Sequence, residues 1–190
     1  EEIGAVRAKV LGAEQGVRDA QKNLEAARAK STADIESAYS SAISAGQKAA
    51  TLGKSTLVFV SDMQSVHFGG LNEKSSAVAY AKEGAVFELF GVLGAGRETS
   101  AVIAVMSEGV FGKIQALRNG AAGQYMQIDV TLAEIVNALQ KVQAVLNSIS
   151  SADLTVAESA DLTAQKSAIA GEIINLASKQ SAPAKIEIKN

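Results

Sequence analysis

LNEKSSAVAYAKEGAVFELFGVLGAGRETSAVIAVMSEGVFGKIQAL, residues 71–117, is the stretch whose reading decides the fold. Apolar residues recur there at helical spacing: Val78, Ala81, Ala85, Phe87, Leu89, Phe90, Val92 and Leu93, then Val102, Val105, Met106, Val110, Phe111, Ile114 and Leu117. Arg97 and Glu98 stand between the two runs at a glycine-rich bend. The spacing predicts two apolar helices folded into a hairpin over 72–118. Glycines 84, 91, 94, 96, 109 and 112 each weaken a helix by roughly 1 kcal/mol relative to Ala, so their density predicts backbones that approach a neighbour closely. Glu83, Glu88, Arg97, Glu98 and Glu108 break up the apolar character, so no uncharged run of about 18 residues is present and a resident transmembrane helix is not expected.

Toward the N-terminus, Ile3, Val6, Val10, Ala13, Val17, Ala20, Leu24 and Ala27 step by three and four, as a coiled-coil seam does. Ser31, Ile35, Tyr39, Ala42, Gly46 and Ala49 then add four-residue steps, the mark of a stutter. A helix over 1–52 would reach roughly 75 Å, which predicts a rod. Gly53 is expected to end it, and STLVFVSD (55–62), short, β-branched and aromatic, reads as a strand within a connector over 55–68. Gly69-Gly70 is a break, and Asn72 an N-cap for the first hairpin helix.

Toward the C-terminus, a helix over 121–149 keeps a strict heptad in Tyr125, Ile128, Leu132, Ile135, Leu139, Val142, Leu146 and Ile149. Its expected partner is the seam from Val10 to Leu24, where small Ala would meet large Leu and Ile. Thr155 and Glu158 form a capping box that opens a helix over 156–180, carrying Leu162, Ile169, Ile173 and Leu176. Pro183 is expected to bar its continuation. The tail AKIEIKN (184–190) alternates like an edge strand and is expected to pair, over 185–189, with 56–60.

Composition agrees with an all-α fold: a single elongated helical domain over 1–190, a helical bundle or coiled-coil rod around the apolar hairpin, with a minor β element. Hydrophobic residues make up 47% but aromatics only 4%, and there is one Pro and no Cys or Trp, which favours thin, closely packed helices. A net charge of -2 with dispersed Lys and Arg gives no basis for a nucleic-acid partner. Without cysteine there is no disulfide framework and no thiol-ligated metal. A chain that begins at Glu1 rather than Met is expected to have been processed or trimmed.

The motifs that invite chemistry fail on context. GKST (53–56) has its upstream glycine, Gly46, too far back for a phosphate loop, and helix rather than strand before it. GVLGAGRET (91–99) has Arg97 and Glu98 where such a loop needs Lys and a hydroxyl. His67 is the single histidine, so it supplies neither a di-iron set nor, by mere nearness to Ser61, Asp62 and Ser65, a triad. Glu83, Glu88 and Glu108 have Lys82, Lys113 and Arg97 as inward pairing options, but the expectation for acids on an otherwise apolar helix is a solvated face or an inter-subunit ion pair. No enzyme activity, cofactor or metal is expected.

The leading expectation is a non-enzymatic structural subunit of a homo-oligomer, an extracellular or cell-surface filament or appendage whose partner is itself. Its candidate interaction residues are Phe87, Phe90, Val105 and Phe111 of the hairpin and Leu132, Leu139 and Leu146 of the heptad helix, because an apolar surface of that size needs cover. A second expectation is a membrane-active protein that inserts the hairpin; in layout, long helices bracketing an apolar hairpin, the chain resembles the α-helical pore-forming toxins and type III secretion translocators. A coiled-coil adaptor or tip domain is the third.

Overall fold

A computed structural model describes the backbone of residues 2–120 and 124–188, with side chains described through Gln180. The described chain is all helix and turn: α1 (Glu2–His67), α2 (Glu73–Phe90), α3 (Ser100–Val105), α4 (Gly109–Gly120), α5 (Tyr125–Ser148) and α6 (Val156–Ile188), with 3₁₀ turns at Ala95–Arg97 and Ser151–Asp153.

Helix α1 does not stop at Gly53. It runs 66 residues, about 100 Å, and ends only before Gly69 and Gly70. The reason is tertiary: a Cβ on Gly53 would lie 3.1 Å from Leu139 Cδ2 and 3.4 Å from Leu89 Cδ2, so this glycine admits neighbouring leucines instead of terminating a helix. The expected strand over 55–62 is helical for a related reason. Thr56, Leu57, Val60, Ser61, Met63 and Gln64 are buried at helical spacing, and packing on that face outweighs the modest helix penalty of β-branched residues. With 56–60 helical, the tail has no strand edge to join. Helix α6 passes Pro183 and continues to Ile188; Lys189 and Asn190 lie outside the described residues. Alternation alone does not make a strand when no ladder is offered.

The second half of α1 is the axis of a bundle. Helix α5 lies parallel to it: Tyr39 stacks on Tyr125 with ring centroids 4.4 Å apart, Gly46 faces Leu132, and Gly53 faces Leu139, all at one constant sequence offset. A Cβ on Gly46 would stand 2.8 Å from Leu132 Cδ2, with Ile114 and Ile135 close behind, so the heptad-spaced glycines form the hollow into which the α5 leucines fit. The heptad helix therefore does pair with α1, but through 39–64 and not through Val10 to Leu24. Helix α6 runs antiparallel along the same half of α1, fastened by Lys48 to Glu172 (3.0 Å), Thr56 to Gln165 (2.9 Å) and Lys179 to Ser41 (3.1 Å).

The apolar hairpin folds into this bundle. Helix α2 packs on α5, and its end is closed by Gly91 at φ 73°. The return limb is broken at 106–108 into α3 and α4. Gly109, at φ 63°, lies so close to Phe90 that a Cβ would come within 2.5 Å of the Phe90 carbonyl carbon. That contact brings Phe90 and Phe111 together at 5.8 Å between ring centroids. The caps read from sequence are formed: Asn72 Oδ1 accepts from Ser75 N at 2.8 Å, and Glu158 accepts from both the Thr155 amide and hydroxyl.

Candidate functional site

The sequence motifs with catalytic overtones serve packing. Lys54 of GKST donates to Met106 O at 2.7 Å and lies 4.9 Å from the Phe111 ring centroid and 5.9 Å from that of Phe90. It ties α1 to the α3–α4 corner. Because this segment is mid-helix, its amides are already committed to the helix ladder and cannot cradle a phosphate. In GVLGAGRET, Arg97 donates to Gly70 O and Ser75 Oγ, both at 3.2 Å, pinning the bend to the α1–α2 connection.

His67 Nε2 lies 2.9 Å from Glu158 Oε1, joining the end of α1 to the start of α6. Hydrogen bonding from His67, then from Thr155, holds the Glu158 carboxyl down at about 2. Ser61 and Ser65 donate to carbonyls of their own helix, so no triad assembles around this histidine. Glu108 is exposed and Glu83 and Glu88 are half-buried; Glu83 accepts from the Gly94 amide, and Lys113 pairs with Glu134 at 2.9 Å. Among the described residues no group of three His, Cys, Asp or Glu could hold a metal.

Sequence reasoning missed Lys82. It is fully buried, and its ammonium donates to Gln64 Oε1 at 2.8 Å and to Glu98 O at 2.5 Å, while Gln64 Nε2 donates to Gly96 O at 3.1 Å. Burial pushes its pKa down from 10.5 to about 8, with the charge of Glu98 opposing the shift. The signal was available: Lys82 sits at the three- and four-residue spacing of Ser75, Val78, Ala79, Ala85, Val86 and Leu89, the buried stripe of α2. Its role is to fasten the bend, since both its partners belong to the bend or to α1.

The candidate interaction residues divide sharply. Phe90, Phe111, Leu132, Leu139 and Leu146 are buried inside the chain's own core, whereas Phe87 and Val105 are exposed, Val105 at 78%. Five of the seven are thus already covered by this chain. A second uncovered apolar surface runs along the N-terminal part of α1. Residues 2–30 of α1 are exposed on every face, and the large members of the first seam, Ile3, Val6, Val10, Val17 and Leu24, remain 50–74% exposed. Side-chain hydrogen bonds along this arm are local, Gln15 with Asp19, Arg18 with Gln15, and Lys30 with Asp34.

The arm meets the bundle at the Tyr39–Tyr125 stack, where Tyr39 also donates to Asp129 Oδ2 at 3.1 Å beside a shallow groove lined by Glu36, Ile43, Arg118 and Ile128. No protein-family model, no curated protein and no solved structure matches the chain.

Proposed function

We propose that the chain is a non-enzymatic structural subunit of a homo-oligomeric assembly, of the filament or appendage kind, and that it associates with itself through the free arm of α1. The observation that carries this reading is the fully exposed heptad seam from Ile3 to Ala27. A helix draws most of its stability from packing its apolar face, and this stretch also carries Gly4, Gly12 and Gly16, where an added Cβ would meet nothing within 4 Å. An isolated helix so composed is marginal in water, and covering the seam supplies what the chain itself does not. The non-enzymatic part is supported by the use of Lys54, His67 and Lys82 in fastening helices together.

Sedimentation velocity and light scattering on the full chain test the proposal. The expected mass is a multiple of 19.5 kDa, falling to 19.5 kDa in the Val10→Asp/Val17→Asp variant while the thermal transition of the bundle persists. A parent protein that stays at 19.5 kDa at every concentration overturns it.

One observation favours a second reading, the membrane-active one. The segment Ser100–Gly120, two helices broken at 106–108, has the length and mean hydropathy to cross a membrane, and 28% of its 18-residue apolar window is buried. Phe90 cannot test it, because the side chain is buried and a charge there would strike the core. Val102 and Val105 are exposed, so Val102→Asp/Val105→Asp should abolish dye release from liposomes without altering the fold, provided the parent causes release.

A further inference from the structure

We infer that the arms of two chains pair in parallel and in register, as a two-stranded coiled coil that sets both bundles at the same end; this rests on the self-association through the arm proposed above. The seam fixes the heptad positions. Ile3, Val10, Val17 and Leu24 occupy a, and Val6, Ala13, Ala20 and Ala27 occupy d, sustained over about four heptads. Glycines 4, 12 and 16 and Leu11 all fall outside a and d, so the seam itself is uninterrupted. β-branched residues at three of the four a positions favour two strands in parallel coils.

Orientation follows from the flanking charges. Arg7, Glu14, Gln21 and Arg28 occupy e, and Glu2, Lys9, Gly16, Asn23 and Lys30 occupy g. In a parallel, in-register pair each g faces the e five residues on in its partner. Glu2 then meets Arg7 of the second copy and Lys9 meets Glu14, each occurring twice by symmetry, while Gly16 with Gln21 and Asn23 with Arg28 are neutral to one another. No like charges face each other. The competing antiparallel alignment, with each a layer opposite a d, seats large residues on Ala but sets Glu14 against Glu14 of the other chain at the centre and keeps only Glu2 with Lys30. Opposite charges at these positions select partner and orientation, and here they select the parallel pair.

The chain has no cysteine, so single substitutions report orientation without background. Three proteins are compared after mild oxidation: Val6→Cys, Leu24→Cys, and an equimolar mixture of the two, each first shown by light scattering under reducing conditions to keep the parent's mass. The expected result is a dimer mass together with disulfide formation in the Val6→Cys protein by itself and in the Leu24→Cys protein by itself, with no need to mix them. A dimer whose cross-link forms only between Val6→Cys and Leu24→Cys chains overturns the parallel arrangement and leaves self-association through the arm standing. A trimer or larger mass overturns the two-stranded arrangement, and a monomer overturns both the inference and the function it rests on.

Charge reversal supplies an independent readout. Glu14→Lys brings a second positive charge up against Lys9 of the other copy and should weaken dimerisation several-fold at low salt, with recovery in Lys9→Glu/Glu14→Lys and a smaller difference at high salt. In the antiparallel pair the single change merely exchanges one like-charge contact for another, so an unaltered dimerisation constant overturns the inference.

Discussion

Helix α1 holds two regions made of similar residues and used in opposite ways. Over 39–64 its small residues, Ala42, Gly46, Ala49, Ala50 and Gly53, are buried beneath α2, α4, α5 and α6. Over 2–30 its small residues, Gly4, Ala13, Gly16, Ala20 and Ala27 among them, lie open to solvent. The difference is not one of hydrophobicity. In the first region glycine stands on the seam, where it makes hollows for Leu132 and Leu139; in the second glycine stands off the seam, which is left to Ile, Val, Leu and Ala. A glycine on the apolar face asks for a large side chain from another helix, and α5 supplies it. An apolar face without glycine hollows suits a copy of itself.

The largest effect expected to sharpen this contrast comes from truncating each seam. Leu139→Ala removes a fully buried side chain facing Gly53 and should cost about 2–5 kcal/mol in the bundle's unfolding, read by chemical denaturation. Val17→Ala, in the arm, should leave that transition within about 0.5 kcal/mol and register in the association constant instead. Equal losses in the two variants would erase the distinction.

Next in size is the response of the bundle to alkali. Unfolded chains bind the Lys82 proton up to about 10.5, folded ones only to about 8, so between these values the unfolded state holds more protons and stability rises with pH. The rise should be at most about 3 kcal/mol and vanish in Lys82→Met, while the helicity of the arm does not follow it. Stability that falls in parent and variant alike across pH 8 to 10.5 would show that Lys82 is not held as described.

The smallest effects concern the glycines themselves, and they should have opposite signs. Gly46→Val pushes branched carbons into Leu132, Ile114 and Ile135 and should cost about 1–3 kcal/mol by overpacking. Gly12→Ala meets nothing within 4 Å and should raise helix content, a gain of up to about 1 kcal/mol in helix propensity, measured by circular dichroism. A destabilising Gly12→Ala would mean that the arm packs against something in the isolated chain.

Much of this was legible in the sequence. The heptad helix, expected over 121–149 and found over Tyr125–Ser148 with 121–123 outside the described residues, the Asn72 cap, the Thr155–Glu158 box and the break at Gly69-Gly70 depend on period and local chemistry, and each is formed. The helical course of the seam from Ile3 to Ala27 was legible too. What misled was composition read locally: Gly53 looked like a stop and STLVFV like a strand, because glycine and β-branched residues carry those tendencies in isolation. Only the tertiary structure decided that Leu139 enters at Gly53, that the Lys82 ammonium meets Gln64 and the Glu98 carbonyl, and that α5 chooses the second half of α1 over the first. The physical reason is that a periodic stripe states how much apolar surface a helix must cover, while the identity of the cover depends on shape and distance between segments far apart in the chain, which no local pattern encodes.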